Sequence, residues 1–191
     1  MGLDDLAGAY LSRALRNNKS IVKLDLDSNM FGPQTCIALA DSLTTNTTVE
    51  HVNLESNLLS RSGNGGHDLT GISAMAKMLT TNKTLKYVNM WRCNIGSEGG
   101  QLLLQGINKN STLLFFQLGN NGLSQTHSKR ISDRLDENNQ LEREGQELKQ
   151  VSESVTAIYS GRFGDVEREC VTRVGRAVRP ASSVKKNKKG E

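Results

Sequence analysis

Cysteine is scarce in this sequence, with three cysteines among 191 residues. Three is an odd number, and it is too few to build the disulfide framework of a small secreted domain. We therefore expect reduced thiols in a reducing compartment. Cys36 and Cys93 fall at regularly spaced apolar positions, which predicts that both pack in the core, whereas Cys170 lies in the C-terminal segment.

Long apolar runs are also missing. No stretch approaches the roughly 20 apolar residues that a membrane-spanning helix needs. The first residues, M-G-L-D-D-L, have neither the basic region nor the apolar core of a secretory signal. Leu6 stands where a myristoylated N-terminus carries serine or threonine. We therefore expect a soluble cytoplasmic protein without a transmembrane segment.

The motifs of reaction chemistry are missing as well. His51, His67 and His127 are scattered along the chain, with no cysteine or carboxylate at ligand spacing, so we expect no metal site. The Gly-rich stretch S-R-S-G-N-G-G-H-D lacks the Gly-Lys-(Ser/Thr) ending of a phosphate-binding loop. Nothing marks a nucleophile elbow. The sequence predicts no enzyme, no cofactor and no small-molecule substrate.

What the sequence does contain is one apolar pattern that occurs four times. Its first copy, at residues 21–31, reads I-V-K-L-D-L-D-S-N-M-F. This matches L-x-x-L-x-L-x-x-(Asn/Cys)-x-L, the pattern of a leucine-rich repeat. The copies occupy Ile21, Leu24, Leu26, Asn29 and Phe31; Val49, Val52, Leu54, Asn57 and Leu59; Leu85, Val88, Met90, Cys93 and Ile95; and Leu113, Phe116, Leu118, Asn121 and Leu123.

A helical apolar pattern lies between successive copies and closes on an asparagine each time. We expect this residue to end its helix in the left-handed conformation. Successive asparagines are 28, 36, 28 and 28 residues apart, so the second interval carries eight extra residues. We place this insertion at Ser60–Asp68 and expect a surface loop. The asparagines are Asn18, Asn46, Asn82, Asn110 and Asn138.

These patterns predict the fold class. A strand, turn and helix cannot bury their own apolar face, so neighbouring units must stack. We expect an α/β leucine-rich repeat solenoid of 28-residue units, with a concave parallel sheet and convex helices. Asn29, Asn57, Cys93 and Asn121 should form a ladder that bonds backbone groups left unpaired by the turns.

The 28-residue unit with a convex helix resembles the ribonuclease-inhibitor-like branch of leucine-rich repeat proteins. The resemblance covers roughly residues 6–141. Related repeats occur in tropomodulin-type actin cappers, the Ran GTPase-activating protein, innate immune receptors and axonemal subunits of cilia. The stretches T-T-N-T-T-V and T-N-K-T-L-K are similar to parts of the tropomodulin repeats. The resemblance implies binding by surface.

The pattern divides the chain into three parts. Residues 1–140 form the predicted repeat array, which starts with a helix at 3–18 that has no strand before it, so its N-terminal edge is expected to be open. Residues 141–178 are predicted to form an amphipathic extension of two helices, separated at S-G-R-F-G. One stripe carries Leu148, Val151, Val155 and Ile158, and the other carries Val166, Cys170, Val174, Ala177 and Val178.

Residues 179–191 are predicted to be a disordered basic tail. From Arg173 onward there are seven Lys or Arg residues against one Glu, whereas residues 1–140 hold 13 basic and 12 acidic side chains. Such a tail suits an acidic surface, for example a tubulin lattice, nucleic acid, an anionic membrane or an import receptor. The lysines expected to make this contact are Lys185, Lys186, Lys188 and Lys189.

The residues between the apolar positions of each strand should point out of the concave face. They form three predicted columns that are acidic on one side and aromatic on the other. Exposed aromatics beside an arginine are the usual composition of a binding hot spot, so we predict a partner-binding patch. Its aromatic side is Tyr87, Trp91 and Phe115 with Arg92 adjacent, and its acidic side is Asp25, Asp27 and Glu55.

The predicted function is a non-enzymatic interaction scaffold, a subunit of a larger cytoskeletal or ciliary assembly. The resemblance places axonemal subunits, with tubulin or dynein-regulatory neighbours, first among the settings. The alternatives are a tropomodulin-like capper of actin filaments and a Ran-type GTPase-activating protein. The partners expected are other proteins of a multi-subunit complex.

Overall fold

The computed structural model describes residues 2–61 and 65–160, with side chains up to residue 156. Its contacts divide the chain into two units, Met1–Glu142 and Arg143–Glu191. The predicted second amphipathic helix and the basic tail lie outside the described residues. No helix within the described ranges is long and apolar enough to cross a membrane.

Short strands alternate with helices throughout the first unit. The four strands lie in the order β1-β2-β3-β4, and each neighbouring pair is parallel. This is the predicted α/β leucine-rich repeat fold. The elements are α1 (Asp5–Ala14) with a 3-10 turn (Leu15–Asn17), β1 (Lys23–Asp25), α2 (Pro33–Thr45), β2 (His51–Asn53), α3 (Thr70–Thr81), β3 (Tyr87–Asn89), α4 (Gly96–Ile107), β4 (Phe115–Gln117) and α5 (Gln125–Ser160).

The middle apolar position of each copy aligns across the sheet. Leu24 pairs with Val52, Val52 with Val88, and Val88 with Phe116. Side chains at these positions point toward the helices, where Leu39, Leu43, Met75, Leu79, Leu103 and Ile107 complete one core. Burying each such aliphatic side chain stabilises the fold by about 1.5–3 kcal/mol.

The predicted turn ladder is confirmed. Asn57 is fully buried, and its Nδ2 donates to the carbonyl oxygens of Leu26 and Leu54, both at 2.9 Å. Cys93 takes the same place in the next unit, where its thiol donates to the Leu54 carbonyl at 3.1 Å. Burial raises the pKa of Cys93 to about 12, which keeps the thiol protonated as a donor.

The asparagines at the helix ends form a second ladder. Asn46 Nδ2 donates to the Leu15 carbonyl at 2.8 Å, and Asn82 Nδ2 donates to the Leu43 carbonyl at 2.7 Å. Each amide oxygen accepts backbone N–H groups two and three residues further on. These bonds tie each repeat to its predecessor.

The left-handed helix ending predicted for these asparagines is wrong. Asn46 has φ −73° and ψ 133°, and Asn82 has φ −65° and ψ 133°, so both are extended. An extended residue lets the chain leave the helix toward the strand while its amide bonds the following backbone. The left-handed residues lie in the turns after the strands instead, at Ser28, Ser56, Arg92, Asn94 and Asn120.

The predicted helix end at Asn138 is also wrong, because α5 runs unbroken through it to Ser160. Asn138 is buried and donates from Nδ2 to the Leu113 carbonyl at 2.8 Å without leaving the helix. In the first unit, α5 is held further by Arg134, whose guanidinium donates to the Asn110 carbonyl. Of the predicted first stripe, Leu148, Val151 and Val155 are exposed.

Two further features flank the core of the array. The insertion lies between Leu59 and Thr70, where Arg61 pairs with His67 in an antiparallel bridge. At the N-terminal side, Asp5 accepts the backbone N–H groups of Gly32 and Thr35, both at 2.8 Å. Asp5 therefore caps α2, a role beyond the favourable placement in its own helix that the sequence predicts.

Candidate functional site

The residues that alternate with the core positions form one surface, which we call the strand face. Pairing of the strands aligns the first two predicted columns directly. Backbone bonds from Ser28 N–H to Glu55 O, from Ser56 N–H to Trp91 O and from Arg92 N–H to Gly119 O align the third. The columns are Lys23, His51, Tyr87 and Phe115; Asp25, Asn53, Asn89 and Gln117; and Asp27, Glu55, Trp91 and Gly119.

The first column is an aromatic stack. The rings of Tyr87 and Phe115 are parallel to within 3°, with their centroids 4.5 Å apart. His51 stacks on the other side of Tyr87, at 5.6 Å and 29°. Phe115 is 42% exposed, so the stack is open to a partner at this end. Rings that are already packed against each other lose little side-chain entropy on binding.

The second column consists of polar side chains that bond to one another and to the third column. Asn53 Nδ2 donates to Asp25 Oδ1 at 2.8 Å, and Asn89 Nδ2 donates to Glu55 Oε2 at 2.8 Å. The Asn89 amide oxygen also accepts the Trp91 backbone N–H at 2.9 Å. Asn89 thus links the acidic and aromatic parts of the face, a role that the sequence analysis missed.

Trp91 is half-buried beside Gly119 in the third column. A Cβ built on Gly119 would lie 2.9 Å from Trp91 Cδ1 and 3.1 Å from its Nε1. The indole therefore occupies space that a side chain at residue 119 would take. The sequence carried a sign of this contact, because the one glycine in the three columns occupies the position beside the one tryptophan on the neighbouring strand.

The structure brings together six of the seven predicted patch residues on this face. Arg92 is the exception, because it lies in the turn after β3 with a left-handed φ of 55°. Its side chain is exposed. Among the described residues, the cation–π contact lies outside the strand face, where the Arg13 guanidinium carbon is 5.5 Å from the Tyr10 ring centroid. Asp25 and Asp27 are exposed, and Glu55 is half-buried.

Replacing Gly119 with alanine should displace Trp91, because the new methyl group would overlap the indole. The fold should hold, since the clash is with the movable end of a side chain and Gly119 has no left-handed φ. We expect partner affinity to fall about three- to tenfold with an unchanged melting temperature. Gly122→Ala is unsuitable as a control because of its φ of 69°, so Gly145→Ala, which meets nothing within 4 Å, serves instead.

That prediction is checked by the emission of Trp91, the single tryptophan, together with a binding titration. A Gly119→Ala protein with wild-type emission and wild-type affinity would show that Trp91 does not depend on the space at residue 119.

Metal-binding clusters are not found in the part of the chain that the structure describes. No group of three or more His, Cys, Asp or Glu side chains there suits a metal ion. Cys36 and Cys93 are buried free cysteines within the core, as predicted for packing residues. Burial raises the pKa of the Cys36 thiol as well.

Comparisons with known proteins point to a fold. No family model and no curated protein sequence matches the chain. The chain is similar to the structure titled "Leiomodin-1 Actin-Binding Site 2 (ABS2)", with a TM-score of 0.66 and 20% identity. That match covers 78% of this chain and 81% of the other. The shared architecture is the leucine-rich-repeat-like one described above.

A second solved structure, the tropomodulin C-terminal domain of Caenorhabditis elegans, matches with a TM-score of 0.43 and 13% identity. This match covers 75% of this chain and 98% of the other.

Proposed function

We propose that this chain is a non-enzymatic protein-binding domain of the actin cytoskeleton and that it contacts actin through the strand face. The observation that carries the proposal is the aromatic stack, which shares the strand face with Trp91 and is open to a partner at Phe115. Of the eight aromatic residues in the chain, Tyr87, Trp91 and Phe115 lie together here. Clustered aromatics of this kind dominate binding energy at protein interfaces.

We choose actin as the partner because the solved structure with the higher TM-score is titled as an actin-binding site of leiomodin-1. The match extends over most of both chains, which supports comparing their surfaces rather than an isolated motif. This favours the tropomodulin-like alternative over the axonemal setting that the sequence analysis placed first. Tubulin, a ciliary location and a Ran-type activity stay predictions from the sequence.

The test is co-sedimentation of the purified chain with actin filaments, together with elongation of pyrene-labelled actin from pointed ends. Interfaces of standard size give affinities from micromolar upward, so we expect saturable binding with a Kd of about 1–10 µM. An effect on pointed-end elongation would support capping as the finer role. Absence of binding to filaments and monomers at about 50 µM chain would contradict the proposal.

A further inference from the structure

Among the described residues, no cation neutralises the acidic half of the strand face. Asp25, Asp27 and Glu55 make no ion pair with any described residue, and their hydrogen bonds come from neutral groups. Lys23 lies two residues before Asp25 on the same strand but is not paired with it. Lys86, which precedes Tyr87, is paired with Glu142 at 3.0 Å, and Arg92, in the turn after β3, makes no ion pair with a described residue.

The carboxylates are also fixed in place. Asn53 and Asn89 each hold one carboxylate oxygen, of Asp25 and Glu55 respectively. The second oxygen of each carboxylate has no described partner and is available to a ligand. Held carboxylates of this kind lose little freedom when a cation arrives, which favours a charge-assisted hydrogen bond to that cation.

Register then places an aromatic ring beside an anion. Asp27, Glu55 and Trp91 stand in adjacent positions of the third column, and neighbouring strands are about 4.8 Å apart. A planar cation paired with Glu55 would therefore lie within reach of the Trp91 ring. Guanidinium meets both demands, since it bonds carboxylates through two N–H groups and stacks on aromatic faces.

We propose that the strand face recognises an arginine-bearing segment of its protein partner, with guanidinium groups held by Asp25 and Glu55 and stacked at Trp91. This deepens the proposed function, on which it rests for the use of the strand face. The segment lies over the β1 and β2 half of the sheet, and the apolar part of the partner lies over Tyr87 and Phe115.

The first arm of the test removes charge without removing hydrogen bonds. In the double variant Asp25→Asn with Glu55→Gln, the new amide oxygens can still accept from Asn53 and Asn89. We expect affinity for actin filaments to fall about five- to tenfold at low ionic strength, with the difference shrinking at high salt. Glu98→Gln, which removes an exposed charge from the first turn of α4, is the matched control and should leave affinity unchanged.

The second arm does not need actin. A short synthetic peptide of arginine and glycine is titrated into the chain while Trp91 emission is recorded, and the same peptide with citrulline for arginine is the control. The arginine peptide should give a saturable change that weakens about five- to tenfold in the double variant, and the citrulline peptide should give none.

The outcomes separate the two proposals. One outcome is that the chain binds actin, but the double variant binds it equally well at every salt concentration and the arginine peptide leaves Trp91 emission unchanged. That outcome overturns the inference and leaves the proposed function standing. If the chain does not bind actin but the arginine peptide binds as expected and depends on Asp25 and Glu55, the partner is wrong and the recognition of arginine holds.

Discussion

Replacing Asn57 with alanine should lower the free energy of unfolding by about 3–4 kcal/mol, the largest effect that we expect for a single polar side chain here. Asn57 is 0% exposed. Its Nδ2 donates to the carbonyls of Leu26 and Leu54, and its Oδ1 accepts the Phe31 N–H at 3.0 Å. Alanine would leave the buried Phe31 N–H without an acceptor and would remove one of the two donors that reach each carbonyl, the other donors being Asn29 at Leu26 and Cys93 at Leu54.

Asn29→Ala is the matched control for that variant. Asn29 makes similar bonds to Leu26 and Asp27 at the first position of the turn ladder, but it is half-buried. Because Asn29 is half-buried and the Leu26 carbonyl keeps its bond from Asn57, we expect a loss of about 1 kcal/mol. Urea unfolding followed by circular dichroism measures both. Equal losses for the two variants would show that burial of the turn ladder does not set its contribution.

The alignment of the strands could be predicted from the sequence because each copy repeats the same apolar positions. Parallel neighbours that bury the same position must align it, so Leu24, Val52, Val88 and Phe116 had one consistent register. The turn ladder followed for the same reason, since a polar residue recurring among apolar ones needs buried backbone partners.

The bonds within the strand face could not be predicted in this way. Asn89 is an ordinary exposed-looking residue in the sequence, and its bond to Glu55 joins side chains 34 residues apart. Which of several neighbouring groups an amide chooses depends on rotamers and distances that the apolar pattern does not contain. The position of Trp91 against Gly119 likewise required the register of β3 and β4 to be known.

The predicted helix end at Asn138 was wrong for a different physical reason. The repeat pattern stops after Asn139, but a helix continues wherever its backbone bonds and residue propensities allow. Between Gln125 and Ser160 there is no proline, and Gly145 is the one glycine, which weakens a helix without ending it. The repeat pattern therefore ends before α5 does.

Replacing Trp91 with alanine should have the largest effect on binding. Trp91 is half-buried on the strand face, its backbone N–H donates to Asn89, and it lies next to Glu55 in the third column. Central aromatic residues of this kind contribute 2 kcal/mol or more to an interface, which corresponds to about a 30-fold loss of affinity. Helical content should be unchanged, because the core residues are untouched.

Tyr10→Ala is the matched control. Tyr10 is another large aromatic residue, 63% exposed on α1 and outside the strand face, with Arg13 over its ring. The decisive measurement is the affinity of both variants for actin filaments, with circular dichroism as the check on folding. The account predicts about a 30-fold loss for Trp91→Ala and less than about a twofold change for Tyr10→Ala. Wild-type affinity in a folded Trp91→Ala protein would contradict binding through the strand face.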